Sequence, residues 1–340
     1  MRDIINENMN ETINENMNKI NLTLTTSVKK ISEIFKVTPQ AIHKLIKECG
    51  IIFKKIGGSV RITSDNFQDI LKAKNIKKQK MIICSSCVKG GVGKTTLTHG
   101  LASIIPSYGH KTLVIDLDKQ SNLTSHLSII PSNLSVAAFE SDFAGQTENV
   151  ERFFKNLLAP IENDFDVIWF DCPPALVKVT SAAQACSDLV LIPINTDKFS
   201  MDGLELTIDS ILTLNKKFDV NPDIKIVINK FDARQKLAFQ IIGVLLNGDY
   251  KNYFSNTFIS ISKQIVNCIA NKSCLWDQKY KGLTQDNSTE LTQEILGANK
   301  WSLLKTLSSS LTSSLPSFAL NKQDLPQNDI TLANSSISYV

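Results

Sequence analysis

The sequence predicts an α/β fold, a P-loop parallel sheet with helices on both faces, preceded by a small N-terminal winged helix-turn-helix domain. Three observations predict it. Short apolar runs alternate with helical patterns from Met81 onward, which is the signature of a sheet covered on both faces. A glycine-rich stretch, "KGGVGKTT" at 89–96, follows the first of those runs and opens a helix. Ahead of them, residues 19–80 carry 14 Lys/Arg against 4 Asp/Glu and contain two short amphipathic helices with a tight break.

Taken in order, residues 1–20 repeat "INENMN" at 5–10 and 13–18 and offer few apolar anchors, so a flexible arm is expected. Residues 21–78 are expected to form the DNA-binding domain. "SVKKISEIFKV" places Val28, Ile31, Ile34 and Phe35 at helical spacing. Thr38-Pro39 supplies an N-cap and a proline at the first helical position. The helix that follows turns Ile42, Leu45 and Ile46 inward and stops at Gly50. It leaves Gln40, His43, Lys44 and Lys47 outward, side chains able to meet base edges and phosphates. A strand, a Gly57-Gly58 turn, a second strand and a helix from about Ser64 then read as a wing.

The catalytic domain is expected over 81–312, with strands at "MIICSSCV", "KTLVIDLD", "FDVIWFD", "DLVLIPIN" and "IKIVINKFD". Residues 313–340 are Ser/Asn-rich and aperiodic and read as a flexible tail. Cys84 and Cys87 form a C-x-x-C expected within the first strand, where residues three apart face opposite ways and serve core packing. The seven cysteines (49, 84, 87, 172, 186, 268, 274) show no disulfide-framework spacing, which suits a reducing cytoplasm. No apolar run approaches membrane-spanning length, and the polar N-terminus lacks a signal-peptide core.

Charge is distributed unevenly. Residues 19–80 have a net charge of +10, while residues 81–340, with 22 Lys/Arg against 25 Asp/Glu, have −3. A basic unit on a near-neutral body points to a nucleic-acid partner, although the lysines of "KAKNIKKQK" (72–80) also suit a solvated linker.

The glycine loop carries the chemistry. A strict Walker A pattern would place glycine at position 88, where this chain has Val88. Gly90, Gly91, Val92 and Gly93 can still wrap a polyphosphate with backbone amides at a helix N-terminus. Lys94 is placed to neutralise the β- and γ-phosphates, and Thr95, followed by Thr96, to present a hydroxyl to Mg²⁺. A second lysine, Lys89, precedes Lys94 by five residues.

With "KGGVGKTT", the chain resembles the deviant Walker A ATPases and most closely the ParA family of partition ATPases. The likeness runs through "LVIDLDKQSNLT" (113–124), "FDVIWFDCPPAL" (165–176), "DLVLIPINTDKFSMDGL" (188–204) and "INKFDARQKLAFQIIGVL" (228–245). The resemblance implies an ATP- and Mg²⁺-dependent ATPase that forms a nucleotide-sandwich homodimer, with Lys89 reaching the partner's phosphates. It implies that Asp118 orients the attacking water, that Asp116 supports the metal site, and that Asp171 holds Mg²⁺ through water. Asn229 and Asp232 then fall in a base-contacting loop, and Arg234 becomes a contact to non-specific DNA. The implied partners are DNA, both operator and arbitrary sequence, and a ParB-type centromere-binding protein. The implied location is the cytoplasm, associated with the nucleoid. A DNA-binding region ahead of such an ATPase implies repression of its own operon.

The chain departs from the family pattern at "DKQSN", where the family usually has "DPQGN", and at "ISIS" (259–262) in place of "IPRN". A second basic DNA contact near Lys263 and Gln264 is displaced or lost. A nucleotide-switched DNA-binding regulator without significant hydrolysis is the alternative. A membrane-bound relative would need a basic amphipathic C-terminal helix, which "NKQDLPQNDITLANSSISYV" does not offer. An iron–sulfur reductase would need cluster-ligand cysteine spacing, which the chain does not show.

Overall fold

A computed structural model describes residues 25–35, 37–56, 58–73, 80–118, 128–130, 150–197, 200–270 and 283–298. The arm at 1–20, the tail at 313–340, Lys119, Ser121 and Cys274 lie outside these described residues.

The N-terminal unit runs β1 (Thr25–Ser27), α1 (Val28–Phe35), α2 (Pro39–Glu48), β2 (Lys54–Ile56), β3 (Ser59–Thr63) and α3 (Ser64–Ala73). Thr38 caps α2 through its hydroxyl, which accepts from the Ala41 amide at 3.3 Å, and Pro39 takes the first turn. Ile42, Leu45 and Ile46 are buried, and α1 packs on α2. Gly50 ends α2 at φ +61°, where a side chain would be strained. The hairpin β2–β3 gains a third antiparallel strand, β1, with Thr25 opposite Thr63. Three residues are too few to show a strand pattern in the sequence, and β1 was not expected.

Among the described residues, the larger unit forms a six-stranded, all-parallel sheet in the order β6-β5-β7-β4-β8-β9. Its strands are β4 (Met81–Ser85), β5 (Thr112–Asp116), β6 (Ser128–Ile130), β7 (Val167–Asp171), β8 (Leu189–Ile194) and β9 (Asp223–Ile228). Five correspond to the expected apolar runs, and β6 is an additional three-residue edge strand. Its helices are α4 (Lys94–Ile104), α5 (Val150–Leu158), α6 (Lys178–Cys186), α7 (Ser200–Phe218), α8 (Lys236–Asn247), α9 (Lys263–Ala270) and α10 (Leu283–Ala298). The central strands β5, β7 and β8 are buried along their whole length, as crossover helices on both faces require.

Two apolar cores result. One gathers Ile115, Phe154, Phe170, Ile192 and Ile208. The other joins Ile83, Leu97, Leu101 and Trp169 to Ile31, Ile42, Leu45 and Phe67 of the N-terminal unit. Each such buried side chain contributes roughly 1.5–3 kcal/mol of transfer free energy, so the two units share a core. Gly109 shows how close the contact is: at φ +78°, any Cβ there would collide with the Phe67 ring. The Thr26 hydroxyl also donates to the Ser107 carbonyl at 3.2 Å.

The C-x-x-C needs a correction. β4 ends at Ser85, so Cys87 lies beyond the strand at the start of the glycine loop. Both thiols are buried, and Cys84 Sγ on β4 lies 3.4 Å from Sγ of Cys172, the residue that follows β7.

Candidate nucleotide-binding site

The loop 88–93 leaves the C-terminal end of β4 at the centre of the sheet, and α4 begins at Lys94. Ligands of open parallel sheets bind at this end of the strands. Val92 is fully buried and anchors the loop, while Gly90 and Gly91 are exposed. Gly91 and Gly93 take φ of +72° and +93°, left-handed positions of the kind from which anion-binding backbone nests are built. Gly93 also caps α4, and a Cβ there would collide with the Asn229 amide.

Lys94 is 7 % exposed. Its ammonium donates to the carbonyls of Cys87 (3.0 Å) and Lys89 (3.2 Å). Burial pulls it below the usual lysine value. Thr95 and Thr96 are half-buried in the first turn of α4.

Asp116 and Asp171 end adjacent parallel strands and stand opposite each other in register. Asp171 is fully buried, and its Oδ2 has no hydrogen-bond partner. Burial pushes its carboxyl up to about 7, against a hydrogen bond from the Thr95 hydroxyl that lowers it. Asp116 Oδ1 accepts from the Asp118 amide at 2.9 Å, and Asp118 is half-buried two residues beyond the end of β5. Among the described residues no three His, Cys, Asp or Glu side chains close around a metal ion. An orphaned carboxylate oxygen, a second carboxylate and a hydroxyl suit Mg²⁺, which keeps waters and takes its remaining oxygens from phosphates.

Lys89 does not extend into solvent. Its ammonium pairs with the Asp197 carboxylate on the segment after β8. Gly203 of α7 backs its side chain, since a Cβ there would lie 3.1 Å from the Lys89 Cβ. The Val88 amide donates to the Thr207 hydroxyl at 3.1 Å. The loop's first half is thus fastened to α7.

The loop's second half is fastened to the segment after β9. Asn229 is buried and its amide donates to the Val92 carbonyl at 2.7 Å. Lys230, at φ +53°, donates from Nζ to the Gly91 carbonyl at 2.7 Å. Asp232 accepts a bidentate pair from Arg234, whose Nε and Nη2 both lie at 2.8 Å. That contact holds the Asp232 carboxyl down at about 2. The structure therefore gathers Lys89, Lys94, Thr95, Asp116, Asp118, Asp171 and Asn229 around one loop. Gln40, His43, Lys44 and Lys47 stand exposed on α2 of the N-terminal unit, apart from that cluster. Asp197, Thr207 and Lys230 were not anticipated, because each reaches the loop from more than 100 residues away in sequence.

A family model described as an AAA domain matches residues 80–129 and 125–226. The chromosome partitioning protein ParA of Myxococcus xanthus is 30% identical over 241 residues, covering 59% of this chain and 83% of that protein. The chain belongs to the ParA family of partition ATPases. The sporulation initiation inhibitor Soj of Bacillus subtilis is 27% identical over 207 residues, covering 51% of this chain and 79% of Soj. In fold, the chain is similar to a Borrelia burgdorferi plasmid partition protein solved with AMPPNP, with a TM-score of 0.51 at 23% identity. That likeness covers 66% of this chain and all of the other. The family match begins at residue 80, so the ParA-type unit carries the loop and the carboxylates, and the N-terminal unit lies outside the match. Among the described residues no helix is long and apolar enough to cross a membrane.

Proposed function

We propose that this ParA-family chain is a DNA-partition ATPase that dimerises with ATP, coats DNA without sequence preference and represses its own operon. The observation that carries this reading is the pairing of two lysines on one phosphate loop with carboxylates at 116, 118 and 171. Lys94 needs only to exchange two loop carbonyls for β- and γ-phosphate oxygens. Lys89 exchanges Asp197 for the partner copy's phosphates and supplies positive charge in trans. Asp118 orients the attacking water. Thr95, Asp116 and Asp171 hold Mg²⁺, which supplies charge neutralisation at the phosphates. Asn229 and Asp232 flank the base.

DNA is met in two ways. α2 presents Gln40, His43, Lys44 and Lys47 to an operator, and Arg234 meets phosphates of any duplex. A ParB-type partner accelerates slow hydrolysis and releases the DNA. The protein acts in the cytoplasm on the nucleoid.

The test is hydrolysis of ATP by the full chain with DNA and Mg²⁺, beside Lys94→Ala and Asp118→Ala. We expect slow turnover, with nucleotide binding lost in the first variant and turnover alone lost in the second. ATP binding without turnover under any condition favours a nucleotide-switched regulator. Wild-type affinity in Lys94→Ala removes the loop as the site.

A further inference from the structure

The turn after β9 reads Asn229-Lys230-Phe231-Asp232, and three observations make it more than a connection between β9 and α8. First, it is clamped to the phosphate loop by two side chains, Asn229 on the Val92 carbonyl and Lys230 on the Gly91 carbonyl. A base attached to phosphates in that loop therefore lies against residues 229–232. Second, the turn is braced from behind. The Phe231 amide donates to the Ile259 carbonyl and the Phe231 carbonyl accepts from the Ile261 amide, both at 2.9 Å. The Phe231 ring packs edge-on against Phe239 and Phe258. Third, the Asp232 carboxylate already holds a planar fork of N–H donors, the exposed guanidinium of Arg234. The Arg234 amide at 3.1 Å and the Gln235 amide nitrogen at 3.4 Å complete its contacts.

The Watson–Crick edge of guanine offers the same fork. N1–H and the 2-amino group lie side by side in one plane, as the N–H groups of guanidinium do. Adenine carries a lone pair at N1 and offers a single amino group, so it gains one hydrogen bond where guanine gains two. We propose that Asp232 reads the purine base and that this site takes guanine nucleoside triphosphates alongside ATP. Asn229 and Lys230 act as positioning residues that hold the reading turn against the phosphate loop. A guanine edge displaces the Arg234 guanidinium from Asp232 and takes its place. This inference rests on the loop being the nucleotide site.

The experiment is displacement of a fluorescent ATP analogue from the full chain by ATP, GTP or xanthosine triphosphate, with wild type and Asp232→Asn. In wild type, GTP competes at concentrations within about tenfold of ATP. Asp232→Asn keeps an acceptor for N1–H but turns the second acceptor into a donor, which suits the 2-oxo group of xanthine. GTP then weakens by about tenfold and xanthosine triphosphate strengthens by a similar factor, one charge-assisted hydrogen bond exchanged for a clash. An Asp232 that only braces the turn cannot produce this exchange. Equal loss of all three nucleotides in the variant overturns the proposal, as does a wild type that binds ATP and ignores GTP. A wild type that binds none of them overturns the loop assignment as well, so the two failures are distinct.

Discussion

Lys89 pairs with Asp197 within its own chain, yet its proposed task lies across the dimer, so forming the dimer must break that pair. Asp197→Ala removes the pair in advance. The two side chains are 23% and 42% exposed. A pair screened to that degree contributes about 1 kcal/mol. A two-fold dimer breaks two of them, about 2 kcal/mol in total, which is roughly thirtyfold in the dimerisation constant. Light scattering over a protein dilution series, with a non-hydrolysable ATP analogue, measures the midpoint. We expect the Asp197→Ala midpoint roughly thirtyfold below wild type, with nucleotide affinity of the monomer unchanged. The monomer's own melting temperature falls by a few degrees, because the contact stabilises the folded chain. A midpoint that stays put or rises, in a variant that still binds nucleotide, refutes the idea that Asp197 restrains Lys89.

Further expectations follow from other contacts. Gly93→Ala forces a side chain into φ +93° and onto the Asn229 amide, so nucleotide affinity falls by about 100-fold or more, measured by titration of a fluorescent ATP analogue. Lys44→Ala weakens operator binding and lowers its salt slope by about 0.9, while Arg234→Ala weakens arbitrary-duplex binding and spares the operator; mobility shifts on both duplexes read the difference. Glu294 of α10 accepts from Lys225 and Ser255, each at 2.7 Å. Burial pushes its carboxyl up, but Lys225 and Ser255 outweigh burial and hold it below the usual glutamate value. A depressed carboxyl stabilises the fold above its unfolded pKa and loses that contribution as pH falls through the folded one. Glu294→Gln therefore costs about 1 kcal/mol at pH 7, and urea melts should show the gap closing below about pH 4.

Much of this was legible in the residues. Continuous runs such as "LVLIPI", short and spaced between helical patterns, read as strands covered on both faces, and Thr38-Pro39 marks the start of α2 to the residue. The loop identified itself by glycines at 90, 91 and 93 before Lys94. What escaped has a common cause. β1 and β6 have three residues each and no periodicity to detect. The Asp197 restraint on Lys89 and the Asn229–Lys230 clasp join segments that only the fold brings together. The shared core of Ile42, Phe67 and Leu101 is likewise invisible in sequence, since an apolar helix face does not state which neighbour covers it.

The central claim is that each site is completed by Lys89 of the other copy, and mixing two inactive variants tests it most directly. Lys89→Ala binds nucleotide but cannot complete its partner's site. Asp118→Ala binds nucleotide but cannot direct water in its own. In an equal mixture, half the dimers are mixed and each holds one complete site, with Asp118 from one copy and Lys89 from the other. The mixture should recover about a quarter of the wild-type ATPase rate, while each variant alone stays inactive. A mixture as inactive as its components, with mixed dimers demonstrated by differential labelling, would contradict the account.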